Sequence, residues 1–439
     1  MSASPDLELA RRLRDAALAD TLAYELTAAI GTELGPRLAG TRAEARARDW
    51  AVARLMRLGF ANVRIEPFEV PVWVRGTELA EIVRPCPQPL VLCALGNSGA
   101  TQPGGLTAEV FSCATLAALE AAAPEQVRGK IVYVSHGMTA TRDGSGYGEH
   151  GPVRWHGPSV ASAKGAAALL IRSVGTNRHR QPHTGIMRFT GGAAPIPAAA
   201  LAIADADQLE RVVALGQPVQ VRLVLTPCDL GSGTSGNVIA EISGTDSAAG
   251  VVLVAGHLDS WDLSTGSSDN AAGCAIVTAA ALRVAAAGRP RRTIRVVWFG
   301  SEEIGLLGGH DYIRIHGAEK HAMIAESDLG SDRVWRFDSK APASAQPAIQ
   351  RIAAALAPLG IEAGSTDRAS GSDIGPLSSR GVSTIELRQD ATRYFGLHHT
   401  ADDTLDKVDP AALRQNVAAW TAMLAIAAHA PEELAGPTA

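Results

Sequence analysis

The sequence predicts an α/β fold: a mixed, mostly parallel sheet with helices on both faces, interrupted by a β-rich insert. Between residues 250 and 330 the short β-branched runs "GVVLVAG", "RTIRVVWFG" and "HAMIAE" alternate with stretches long enough for helices. Strands that alternate with helices build parallel sheets covered on both sides. Between residues 105 and 225 the rhythm changes to short segments separated by Gly, Pro and His, which marks the insert. At 439 residues, 46% apolar and 19% charged, the chain has room for two or three domains and too much apolar content for disorder.

Two helices are expected first, "LARRLRDAALADTLAYELTAAIGTEL" and, after the turn "GPRLAG", "TRAEARARDWAVARLMRLGF". "ANVRIEPFEVPVWVRG" then alternates like a strand. The insert contributes "GLTAEVFSC", "GKIVYVSHG", "GAAALLIRSV", "IPAAALA" and "VQVRLVL", and "SGNVIAEISG" restarts the longer rhythm. The boundaries implied are residues 1–104, an insert over 105–226, and 227–439. In the last part a helix is expected from Ala271 to about Ala287 and another from Leu306 to Ile315. No repeat recurs at a fixed period.

Composition excludes several classes of function. The net charge of −5 comes without a basic stripe, so a nucleic-acid partner is not expected. The N-terminal "MSASPDLELARRLRDAALAD" lacks the apolar centre of a signal peptide, and no stretch reaches the roughly 18 apolar residues of a membrane helix. The expectation is a cytoplasmic protein as the sequence stands, or a secreted or periplasmic one if a signal was trimmed, with no membrane partner. Five cysteines (Cys86, Cys93, Cys113, Cys228, Cys274) without CxxC spacing fit neither a full disulfide framework nor a thiolate zinc site. "GSGTSG" satisfies GxGxxG but precedes the strand-like "NVIAEI" rather than a helix, so it is not a dinucleotide loop. HExxH, GxSxG and P-loop sequences are absent.

The chemistry gathers at strand ends. "HLDSWD" follows the first run and carries His257 and Asp259; "SEE" follows the second and carries Glu302 and Glu303; "ESD" closes the third with Asp328. The carboxyl edge of an open α/β sheet is where ligands bind. Taken singly each residue is ordinary: His257 in a loop, Asp269 of "SSDNAAG" as a helix cap, Glu302 and Glu303 opening a helix whose dipole favours negative charge. Taken together, several carboxylates on one edge repel each other unless a cation lies between them. Imidazole and carboxylate without thiolate suit zinc or a similar divalent ion.

The segments "GHLDSWD", "SSDNAAG", "WFGSEEIG", "ESDLG" and "HHTADDT" resemble the M28 family of zinc-dependent exopeptidases, and "GPRLAG", "VRGKIVYV", "LIRSV", "PHTGI" and "GSDIGPL" extend the likeness over most of the chain. The resemblance implies a zinc aminopeptidase-like catalytic domain with two Zn2+ or similar ions per chain. His257 and Asp328 would hold one ion, Glu303 and His399 the other, and Asp269 would bridge them. Glu302 would be the general base and Asp259 would accept the N–H of His257. His399 is preferred to His398 because the family's ligand directly precedes Thr or Ser. The insert resembles a protease-associated domain, a small β-rich lid. Expected partners are dipeptides or short peptides, and the resemblance extends to a homodimer. His183, Ser372, Asp373 and Tyr394 are further candidates for lining the substrate pocket. Two other readings share the architecture: a single-zinc glutaminyl cyclase-like acyltransferase and a non-catalytic receptor-like module.

Overall fold

Sixteen strands among the described residues, 4–435 of a computed structural model, fall into two eight-stranded sheets. In chain order they are β1 (Ala61–Val74), β2 (Glu78–Arg84), β3 (Gln88–Leu90), β4 (Leu92–Ala94), β5 (Leu106–Cys113), β6 (Ile131–Val134), β7 (Ala168–Arg172) and β8 (Ala198–Leu201). They continue as β9 (Gln220–Leu225), β10 (Cys228–Ile242), β11 (Val251–His257), β12 (Thr293–Phe299), β13 (His321–Glu326), β14 (Val334–Lys340), β15 (Glu362–Ala363) and β16 (Thr384–Gln389). The chain divides into two units: residues 1–70, 233–390 and 403–439 form one, and 71–232 with 391–402 the other.

The first unit holds the sheet ordered β1-β10-β12-β11-β13-β16-β14-β15. Its centre, β12-β11-β13-β16, is parallel, while β10 and β14 join it antiparallel, so the sheet is mixed and mostly parallel as expected. Alternate residues of each strand feed opposite faces, because side chains alternate across a strand. Val252, Val254, Val296 and Trp298 pack with the helices Ala272–Ala286 and Pro410–His429, whereas Leu253, Ala255, Val297 and Phe299 pack with Tyr312 of the helix Leu307–His316. Helices therefore cover both faces.

The N-terminal region forms three helices in place of the expected two, Pro5–Ala17, Leu22–Ala29 and Arg42–Arg57. The break falls where Asp20 caps the second helix, accepting the Ala23 N–H at 3.0 Å, and pairs with Arg283 at 2.6 Å. An aspartate favours a cap over a helix interior because its carboxylate satisfies an N–H that has no helical partner.

The second unit contains the five expected insert segments as β5 to β9, in a sheet ordered β3-β2-β9-β5-β6-β7-β8-β4. It differs from expectation in two ways. It starts at Pro71 rather than residue 105, because β2 pairs with β9 and β4 with β8, which draws residues 78–94 into this sheet. It is also not β alone: the helix Ile203–Val213 lays Ala206, Leu209 and Val212 on the sheet. "GSGTSG" lies inside β10, as a non-nucleotide reading requires. No helix among the described residues is long and apolar enough to cross a membrane, and all five cysteines are free.

One glycine fixes how closely the site segments approach. A Cβ on Gly273, at the start of the helix Ala272–Ala286, would lie 2.1 Å from the Ser327 carbonyl and 1.9 Å from Asn270 Oδ1. Helix propensity alone predicts that Gly273→Ala gains about 1 kcal/mol. The backbone clash predicts the opposite sign, a loss of about 1–3 kcal/mol, and urea melts of the purified variant distinguish the two.

Candidate metal centre

Register brings the strand ends together. His257 stands opposite Phe299 on β12, and Ala255 opposite Glu326 on β13. Asp328, two residues past Glu326, therefore comes level with His257, and Glu302 and Glu303 follow Phe299 on the other side. His257 Nε2 lies 3.1 Å from Asp269 Oδ1 and 3.2 Å from Asp328 Oδ1. Ligand atoms of His257, Asp269 and Glu303 all lie within 4.8 Å of one another, and the three residues are buried.

The ring of His257 is oriented by its neighbours. Nδ1 is 2.9 Å from the Asp259 carbonyl, which can only accept, so Nδ1 carries a proton and Nε2 is the nitrogen that faces the carboxylates. The sequence pointed to the Asp259 carboxylate as that acceptor. It stands farther from Nδ1, at 3.6 Å, and accepts the backbone N–H groups of Glu302 at 3.0 Å and Glu303 at 3.2 Å. Asp259 thus orients the histidine with its main chain and holds the Glu302–Glu303 turn with its side chain. That turn is entered through Ser301 in a left-handed conformation, φ 61°.

Asp269 lies in the segment Ser267–Ala271 and is not helical there, φ −124° and ψ 84°. The helix-cap alternative falls to its neighbour: Asn270 Oδ1 accepts the Gly273 N–H at 2.9 Å. Asn270 Nδ2 also donates to Ser327 O at 2.8 Å and Asp328 Oδ1 at 3.2 Å. Ser372, a candidate from the sequence, donates to Asp328 Oδ2 at 2.7 Å, and buried Asp373 accepts the Gly309 N–H at 3.1 Å.

The electrostatics are those of carboxylates forced together. Burial and then the Asp328 charge push Glu302 well above the usual carboxylate range; burial and then Asp269 do the same to Glu303. Glu326 is pushed up to about 8 by burial and Asp328. Burial on its own would lower His257, but the negative charge of Asp328, with the carboxylates of Asp259 and Asp269 beside it, raises it well above its ordinary value. A protonated imidazole here does the work of a cation among anions. The donor set of imidazole and carboxylates, closed to thiolate, fits a divalent metal.

His398 and His399 belong to the second unit. His399 Nδ1 lies 3.2 Å from the Thr184 carbonyl, the same arrangement as His257, which leaves the lone pair of the neutral ring on Nε2. The His398 ring stacks on His399 with centroids 3.4 Å apart and meets the edges of Tyr147 and Phe395. Tyr394 is buried beside it, 5.1 Å between centroids. His183 is saturated: Nδ1 is 2.8 Å from the His398 carbonyl and Nε2 is 2.7 Å from Asn177 Nδ2. It clamps the segment around His398 and has no ring nitrogen left for a substrate.

Three residues of the first unit are not apparent from the sequence. Asn270 is one. Arg37, fully buried, donates to the carbonyls of Leu258, Thr265 and Gly266. Asp403 accepts the N–H groups of Ser268 and Asp269. The family-like segments "GPRLAG" and "HHTADDT", which contain Arg37 and Asp403, are the available signal.

With this geometry established, known proteins supply the class. The sequence pattern of peptidase family M28 matches residues 237–424, and the chain belongs to that family of zinc metallopeptidases. It is similar to carboxypeptidase Q: 32% identical to the Mus musculus protein over 414 residues, 94% of this chain and 86% of the relative, and 31% identical to the Homo sapiens protein over 95% and 87%. Among solved structures, the peptidase M28 precursor of Shewanella amazonensis SB2B superposes with TM-score 0.96 and 42% identity over 99% of each chain. The zinc aminopeptidase of Bacillus subtilis, at 20% identity, shares the fold with TM-score 0.67 over 95% of this chain and 98% of its own.

Burial lowers His183 to about 4, against 6.5 when unfolded. The unfolded chain therefore binds the proton first as pH falls, and stability is lost between pH 6.5 and 4 by up to about 3 kcal/mol. Urea midpoints at pH 7 and pH 5 should differ less in His183→Gln than in the parent; equal differences would remove His183 as a source of acid lability.

Proposed function

We propose that this protein is a two-zinc exopeptidase that hydrolyses dipeptides or removes the N-terminal residue of short peptides. The observation that carries the reading is the position of His257 Nε2, aimed at carboxylate oxygens of Asp269 and Asp328 at 3.1 and 3.2 Å. His257 and Asp328 would hold one ion, Glu303 and His399 the other, with Asp269 shared. Zinc, when bound, lowers the pKa of water and polarises a scissile carbonyl. Glu302 takes the proton from the attacking water and delivers it to the leaving amine. Its placement supports this, because Glu302 directly precedes Glu303 in the turn whose N–H groups Asp259 accepts. Asp259 keeps Glu302 and Glu303 in place through their N–H groups. The likeness of the second unit to a protease-associated domain is part of the same proposal.

Glu302→Gln should keep its zinc and lose about 10²–10⁴-fold in kcat. Turnover near that of the parent, or loss of zinc, would take the base role from Glu302. One zinc per chain in the parent protein would favour the cyclase-like reading instead.

Ions held by these residues would supply a cationic anchor for a free α-amine beside the bond to be cut, which would favour the terminal bond without a long groove. Dipeptides with free termini should be cleaved and their N-acetyl forms left intact, as read by amine release. Efficient cleavage of an N-acetyl dipeptide, or of internal bonds in an unstructured protein, would sink the exopeptidase assignment.

A further inference from the structure

We infer that Asp403 is a positioning residue for Asp269, setting where that carboxylate meets the metal; the inference rests on the proposed ligand role of Asp269. Asp403 is 2% exposed, and its two oxygens are both used on consecutive backbone N–H groups, Oδ1 on Ser268 at 2.7 Å and Oδ2 on Asp269 at 3.0 Å. Its main-chain oxygen accepts from Thr265 Oγ1 at 3.4 Å and from the Ser267 N–H at 3.5 Å. The segment it holds is non-helical at Asp269 and Asn270, so helical hydrogen bonding does not fix it, and the orientation of Asp269 depends on what receives these N–H groups.

The other end of the same loop is fixed by Arg37. Its guanidinium donates to Leu258 O at 2.6 Å, Thr265 O at 2.6 Å and Gly266 O at 3.1 Å, and the backbone N–H of Arg37 donates to Ser260 Oγ at 3.1 Å. A cation and an anion thus grip the backbone between His257 and Asp269 at carbonyls and at N–H groups respectively. Only a carboxylate can satisfy both N–H groups that converge on Asp403: an asparagine offers one oxygen and turns an N–H donor toward the second. Asp403 also follows His399 by four residues in "HHTADDT", so one motif would supply a ligand and the residue that orients another.

The test is zinc affinity of the stripped full-length chain, measured by chelator competition, in the parent and in Asp403→Asn, Asp406→Asn and Asp269→Ala. Asp406→Asn removes the same charge from an exposed side chain nearby and should match the parent. Asp403→Asn should bind zinc about 10–100-fold more weakly, the usual effect of losing a residue that orients a ligand, with its circular dichroism unchanged. Asp403→Glu keeps the charge but shifts both oxygens, and should fall between parent and Asn; if Asp403→Asn does not fold, weaker binding by the Glu variant supports the inference and parental binding overturns it. A lower melting temperature with parental zinc affinity also overturns the inference, since that is what a merely structural residue gives. If Asp269→Ala itself binds zinc like the parent, the ligand assignment fails; if it loses zinc while Asp403→Asn does not, only the positioning role fails.

Discussion

Buried negative charge at one edge of a parallel sheet is the constraint on which this site depends. The register of β11, β12 and β13 delivers His257, Glu302, Glu303 and Asp328 to neighbouring strand ends, and the Ser267–Ala271 segment adds Asp269. Two unit charges 4 Å apart repel by about 4 kcal/mol at an effective dielectric of 20, and a divalent cation at that distance attracts each carboxylate by about 8. The direction of the pKa shifts says the same: Glu302, Glu303 and Asp373 all rise, with burial first among the causes and a neighbouring carboxylate second. Such an edge is relieved by a cation among the carboxylates or by protons taken up by them. In the protein alone the nearest approximation is the imidazole of His257, whose raised proton affinity is a consequence of the same crowding.

Holding the acids in place before the cation arrives is a separate problem, and the chain solves it mainly with backbone donors and acceptors. Asp259 ties down two N–H groups of the Glu302–Glu303 turn, Asp403 two of the Asp269 segment, and Arg37 three carbonyls of the loop between His257 and Asp269. A charged group that bonds main chain fixes a ligand's starting point without competing for the metal. The histidines follow the same logic in both units: each has Nδ1 against a main-chain carbonyl, Asp259 for His257 and Thr184 for His399. Carbonyls cannot donate, so they select the tautomer without adding another charge to an edge that has too many.

This division explains what could be read from the sequence. The strand-end residues are adjacent to apolar runs, and each run announces both a buried strand and its edge, so the placement of His257, Glu302, Glu303 and Asp328 at strand ends is legible from local pattern, whereas the roles expected of them rest on the family resemblance. Asp269 is ambiguous because a helix start and a ligand look alike in one dimension; the structure gives the cap to Asn270. Arg37 and Asp403 were not legible as individuals. Their partners lie 221 and 134 residues away along the chain, and an arginine or an aspartate that bonds backbone leaves no complementary residue type at the other end to match. The extent of the second unit is hard to read from sequence for a related reason: β2 to β4 look like the tail of the preceding strand until their partners β9 and β8 are known.

Adjacent glutamates at a strand end can then take unlike roles without unlike sequence surroundings. Both N–H groups are received by the two oxygens of one carboxylate, Asp259, so the peptide planes of Glu302 and Glu303 are fixed relative to each other. Glu303, 4% exposed, has a carboxylate oxygen within 4.8 Å of ligand atoms of His257 and Asp269, whereas Glu302 is only partly exposed at the turn. In both, burial first and a neighbouring carboxylate second raise the proton affinity, Asp328 for Glu302 and Asp269 for Glu303. Their difference in exposure is therefore one of position along a turn braced by a third acid, Asp259.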